Sequence, residues 1–218
     1  MIGYGRRTQL LAVGLSALAG YVDAVGFLAS AGFFVSFMSG NSTRLAVGAA
    51  RHSADAGFAV GLILLFLLGV ICGAFFGRRL PAYRQPLILV VVAALLGAAA
   101  SLGAAGLVVP ATAMLALAMG VENTFFERNG EVSIGVTYMT GTLVKVGQRI
   151  AGALAGEAVF GWVPHLLLWL GLVAGAVAGA GAFSDLGFAA LWIGAACAGL
   201  LAAAAAALNL LEGADPAA

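Results

Sequence analysis

The chain has 218 residues, 63% of them hydrophobic and only 9% charged, with a mean hydropathy of +1.09 and a formal net charge of +1. Soluble domains carry about 25% charged residues, so the composition excludes a water-covered globule, and the near-zero net charge gives no basis for a nucleic-acid partner. Several apolar runs are long enough to cross about 30 Å of hydrocarbon. The expected fold class is therefore an all-α polytopic integral membrane protein embedded in the lipid bilayer.

The first apolar span covers roughly residues 9–30 and carries one acid, Asp23. Arg6 and Arg7 followed by an apolar run imitate a secretory signal, but the run continues past any A-x-A site, so an uncleaved anchor is expected. Residues 33–48, FFVSFMSGNSTRLAVG, are apolar at both ends and polar in the middle, where Ser36, Ser39, Asn41, Ser42, Thr43 and Arg44 surround Gly40. A second clear span covers about residues 58–76 and stops at Arg78 and Arg79. A third covers about residues 87–109, with Pro110 as the expected break. Residues 111–126 are apolar but carry Glu122 and Asn123, and residues 127–131 read as a polar turn. A second polar knot follows within residues 132–154, IGVTYMTGTLVKVG at its centre. Two further spans cover residues 165–183 and 186–208.

The chain repeats itself. Met38, Gly40 and Arg44 match Met139, Gly141 and Lys145 at one common offset. Gly69, Gly73 and Gly77 form a small-residue ridge that reads against Gly171, Gly175 and Gly179, and such ridges let helices approach closely in lipid. Asp23 aligns with Asn123 without a gap and with Glu122 after a one-residue gap. Two repeats are expected, residues 9–109 and 110–209.

Charge decides the topology. If both knots dip into the membrane and return, each repeat crosses three times and the halves are inverted. Eight basic residues then face the side of Arg6 and Arg7, while Arg44 and Arg51 face the other. The positive-inside rule favours this arrangement over eight crossings and puts the N-terminus in the cytoplasm. About six transmembrane helices and two broken or re-entrant segments are expected, with breaks at Gly40 and Gly141. In inverted-repeat transporters the site lies near the midplane, where broken helices offer free N–H groups and hydroxyls.

The candidate substrate-binding residues are accordingly Asp23, Ser36, Ser39, Gly40, Asn41, Arg44, Glu122, Asn123, Thr140, Gly141, Thr142 and Lys145. Asp23 is a proton or cation relay, a substrate anchor, or one half of a fixed ion pair with Arg44, and Glu122 is either half of the mirrored pair with Lys145 or an ordinary interfacial acid beside the polar turn. Back-bonding to helical carbonyls accounts for part of the serines and threonines. Met38 and Met139 read as packing. Cys72 and Cys197 stand alone, and His52 and His165 are far apart, so no metal or cofactor is expected. No catalytic set is present, which argues against an enzyme.

The stretch GYVDAVGFLASAGFFVSFMSGNSTRL, with Met119-Gly120-Val121-Glu122-Asn123 and Thr137-Tyr138-Met139-Thr140-Gly141-Thr142-Leu143, resembles the YoaK-like bacterial membrane proteins, the family called domain of unknown function 1275. Ser39 stands where that family has threonine, and Glu122 where it has glutamine. The resemblance implies a multi-pass bacterial inner-membrane protein of undefined function, suspected of transport. The expected function is secondary transport of a small polar or ionised solute held between the two knots. A passive channel and a non-transporting scaffold or accessory subunit are the alternatives. A homodimer would give so short a chain a second copy with which to enclose a pathway.

Overall fold

The computed structural model describes residues 4–128 and 131–214, and among them builds eight α-helices and one small hairpin. The helices are α1 (Arg6–Ala29), α2 (Met38–Ala50), α3 (Asp55–Arg79), α4 (Arg84–Ala104), α5 (Val108–Glu122), α6 (Met139–Leu154), α7 (Val163–Leu186) and α8 (Ala190–Ala214). The hairpin pairs β1 (Glu127–Arg128) with β2 (Glu131–Val132), and Asn129 and Gly130 lie outside the described residues. The long helices are apolar nearly all round, as helices surrounded by lipid must be. Their outward side chains, among them Leu64, Ile71, Phe75, Val177 and Leu200, are more than half exposed, and they form the lipid-facing surface.

Small residues set the helix pairing. Gly171, Gly175 and Gly179 of α7 lie against the carbonyls of Val13, Ala17 and Tyr21 of α1; a Cβ on Gly175 would stand 1.9 Å from Ala17 O. Gly69 and Gly73 of α3 lie in the same manner against Leu117 O and Val121 of α5. Reciprocally, Gly20 meets Leu172 O and Gly120 meets Phe66 O. With no hydrophobic drive between helices in lipid, this close backbone contact is what van der Waals association needs. Each of these helix pairs therefore joins the first half of the chain to the second, α1 with α7 and α3 with α5. The α4–α8 and α1–α5 contacts lie on the axis that relates the two sets.

These contacts correct the ridge alignment. Gly69 corresponds to Gly175 and Gly73 to Gly179, one helical turn later than the reading that placed Gly69 on Gly171. The reason is the longer connection between α6 and α7, residues 155–162, against residues 51–54 between α2 and α3. The expected break at Pro110 is also displaced. α4 ends at Ala104 and the chain turns at Gly106 (φ +77°). Pro110 sits in the first turn of α5, where no intrahelical N–H is required.

Helix direction follows from the same pairs. Successive contacts rise together, so α1 runs parallel to α7 and α3 parallel to α5. Arg44 of α2 donates to Gly32 O beyond the end of α1, and lies 3.7 Å from Asp55 at the start of α3. α2 thus returns to the face at which α1 ended. By the same logic α6 leaves from and returns to the N-terminal face, where Arg84 joins the α3–α4 corner to Thr124 O and Glu127. The chain crosses six times, through α1, α3, α4, α5, α7 and α8, and α2 and α6 are re-entrant half-helices in two inverted repeats.

Candidate functional site

The two half-helices meet inside the membrane. Asp23 Oδ1 accepts the backbone N–H groups of Val35 (2.8 Å) and Ser36 (2.7 Å). This draws the first knot back along α1 by about 9 Å from the end of that helix, at 1.5 Å per residue. The Ser16 hydroxyl donates to Val136 O (3.0 Å) and Leu168 O (3.0 Å), which holds the second knot beside the middle of the same helix. The Thr137 hydroxyl donates to Asn123 Oδ1 (2.7 Å) just past the end of α5. Asn123 therefore stands where Asp23 stands in the first repeat, and the gapless alignment is the correct one.

The breaks lie upstream of the positions expected for them. Both half-helices begin at methionine, Met38 and Met139, and Gly40 and Gly141 fall in their first turns. The irregular chain is residues 30–37 and 133–138. Asn41 explains the first break. Its side chain, completely buried, accepts from Phe34 N (3.0 Å) and donates to Phe34 O (2.6 Å), which satisfies the backbone of the knot from within. Gly40 is required because a Cβ there would meet the Phe34 and Phe37 rings at 2.7 Å.

Between the two half-helix N-termini lies a cavity of about 410 Å³. The first knot contributes Ser36, Phe37, Met38 and Ser39, the second Thr137 to Gly141, and α3 contributes Phe66. Among the described residues, the N–H groups of Ser39, Thr140 and Gly141 have no backbone acceptor, as expected of first-turn donors. Two positive helix-dipole ends thus point at one space from opposite faces of the membrane, with the Ser39 and Thr140 hydroxyls on its wall.

Of the residues singled out from the sequence, Ser36, Ser39, Thr140 and Gly141 line this cavity. Asp23, Asn41 and Asn123 hold the knots in place rather than lining it. Thr142 bonds back to Tyr138 O, and Ser42 and Thr43 bond to the carbonyls of Met38 and Ser39. The expected ion pairs do not form. Arg44 is drawn to Gly32 O, the Phe33 ring (3.8 Å) and Asp55, because Asp23 is already occupied by two backbone donors. Lys145 is exposed on α6, and Glu122 is completely buried within α5, where it bonds no partner among the described residues. Met38 and Met139, read as packing, are wall residues. Phe66 comes from a helix whose sequence carries no signal of a site.

A profile of the family described as "Protein of unknown function (DUF1275)" matches residues 11–204, which include both knots, four of the six crossings in full and most of α1 and α8. The chain belongs to that family. It is 37% identical over 163 residues to the UPF0700 transmembrane protein RA0705 of Rhizobium meliloti (strain 1021), an alignment covering 74% of this chain and 70% of the relative. No solved structure matches. Membership and fold agree on a helical transmembrane protein.

Proposed function

We propose that the protein transports a small polar or anionic solute across the bacterial inner membrane, with its N-terminus in the cytoplasm. The observation that carries this reading is the cavity shared by the two inverted knots. Its recognition groups are donors: orphan N–H groups and hydroxyls, with two helix N-termini behind them. A carboxylate, an oxyanion or a solute rich in acceptors suits such a site. A cation does not, since Asp23 has its Oδ1 committed to two backbone donors and Glu122 does not line the space. Transport through such a site needs each knot to open toward its own face in turn, which inverted halves can do by rocking against one another. The cytoplasmic orientation is supported by the basic residues at the N-terminal face, Arg6, Arg7, Arg78, Arg79 and Arg84, against Arg44 and Arg51 at the other.

A thermal-shift screen of purified protein against metabolites and inorganic ions tests this. A ligand present at about 100 times its dissociation constant adds about 2.7 kcal/mol. Stabilisation by anions or acceptor-rich solutes, lost in a Ser39→Val, Thr140→Val variant, is the expected result. Stabilisation by cations alone, or hits that survive both substitutions, would contradict it. Any hit then goes into proteoliposome uptake, where countertransport separates a carrier from a channel.

A further inference from the structure

Glu122 is the last residue of α5 and has no exposed surface. Neither of its carboxyl oxygens has a hydrogen-bond partner among the described residues. Its counterpart in the first repeat, given the match of Asn123 with Asp23, is Val22, which is equally buried. The same packing position is thus filled by an aliphatic side chain in one half and a carboxyl in the other, so packing alone does not require an acid. The helices against α5 are α1, α3 and α4. Of their titratable groups, Arg78 and Arg84, at this end, are engaged with Glu127, and Asp23 and Tyr21, toward the other end of α1, with Val35 and Ser36 and with Ala190 O. Arg79 stacks on Phe75. Cys72 bonds nothing to Glu122, and Arg6, Arg7 and Asp55 stand at helix ends. A carboxylate stripped of water with no donor in reach is far costlier than the neutral acid, and a single proton discharges it.

We propose that Glu122 is a proton-binding site linked to the second knot, carrying its proton in this conformation and releasing it when the end of α5 opens to water. The link is one residue long. Asn123 follows Glu122, and its Oδ1 holds the hydroxyl of Thr137, which lines the cavity. Water that reaches the carboxylate must part the end of α5 from its neighbours, and Asn123 moves with it. Proton release then loosens one wall of the cavity. That this couples protons to solute movement rests on the transport reading above; the proton site itself does not.

Infrared spectroscopy of the purified protein at neutral pH tests the site without any solute. The wild type should show a protonated-carboxyl C=O stretch, separate from the amide band, that is absent from Glu122→Gln and from Glu122→Met and retained in Glu127→Gln. Both Glu122 variants should fold, because the position accepts a neutral side chain in the other repeat. Identical spectra for wild type and the Glu122 variants would overturn the proton site. Hydrogen exchange tests the link. As pH rises, the amides of Phe125, Phe126 and residues 133–138 should lose protection in the wild type beyond the loss in Glu122→Gln at the same pH. Equal loss in both proteins would overturn the link while leaving the transport reading to its own test.

Discussion

Replacing Asp23 separates a positioning role from a charge-carrying one. Both knot donors, Val35 N at 2.8 Å and Ser36 N at 2.7 Å, converge on the same oxygen, Asp23 Oδ1. An asparagine offers a carbonyl oxygen at the same place, so Asp23→Asn keeps both bonds and loses only their charge assistance. Asp23→Ala removes the acceptor and leaves two N–H groups without a partner at membrane depth. Hydrogen bonds to charged groups contribute about 1.5–3 kcal/mol each, so the alanine variant should lose about 3–6 kcal/mol. The asparagine variant should lose about half of that or less. Unfolding in mixed micelles of graded denaturing detergent gives the two stabilities, and hydrogen exchange at Val35 and Ser36 localises the effect. Loss of protection at those two amides in Asp23→Ala, with retention in Asp23→Asn, is expected. Equal destabilisation by both variants would show that the charge itself, rather than the acceptor, holds the knot, and the positioning argument would fail.

Gly175→Ala and Gly120→Ala should each destabilise by about 1–3 kcal/mol, because their Cβ atoms would stand 1.9 and 2.1 Å from facing carbonyl oxygens. Gly141→Ala, whose Cβ would meet nothing within 4 Å, should be neutral or more stable by up to about 1 kcal/mol. A common outcome for all three in the same unfolding assay would refute the packing account. Arg84→Met should cost about 1–3 kcal/mol, since it removes the hydrogen bonds to Thr124 O and Glu127 O and leaves the nearly buried Glu127 carboxylate with Arg78 alone; a loss under about 0.5 kcal/mol would show that the corner is held by other contacts. Sidedness follows from the six crossings. In a background without Cys72 and Cys197, cysteines at Ser53 and Ser184 should react with an impermeant thiol reagent on one face, and those at Tyr83 and Glu157 on the other. Reaction of Ser53→Cys and Ser184→Cys from opposite faces would exclude re-entry of the second knot.

Much of this architecture is legible in the sequence because lipid imposes severe rules. Charge is scarce, so the few basic residues report the topology, and the asymmetry between Arg78 or Arg84 and Arg51 already selects re-entrant knots. Polar clusters inside apolar segments are costly, so Ser36, Ser39 and Thr140 mark the cavity. The exact break does not show, because it depends on Asn41 folding back seven residues onto Phe34, a contact that residue type alone does not specify. The ion pairs failed for a related reason. Asp23 and Arg44 are the evident opposite charges, yet backbone donors and acceptors released by the broken helix satisfy each of them first. The ridge register was misread because a change in connection length moves the glycines by one turn without changing their spacing. Nothing in the sequence separates Glu122 from an interfacial acid, since its burial is created by helices distant in the chain.

The claim on which the account rests is that two segments, entering from opposite faces, meet at one cavity. Crosslinking of a Ser39→Cys, Thr140→Cys double variant by a short bifunctional thiol reagent tests it most directly, again without the native cysteines. The account predicts an intramolecular crosslink at monomer mass, prevented by prior treatment with a small monofunctional reagent. Two cysteines that each react singly but never crosslink within one chain would contradict it.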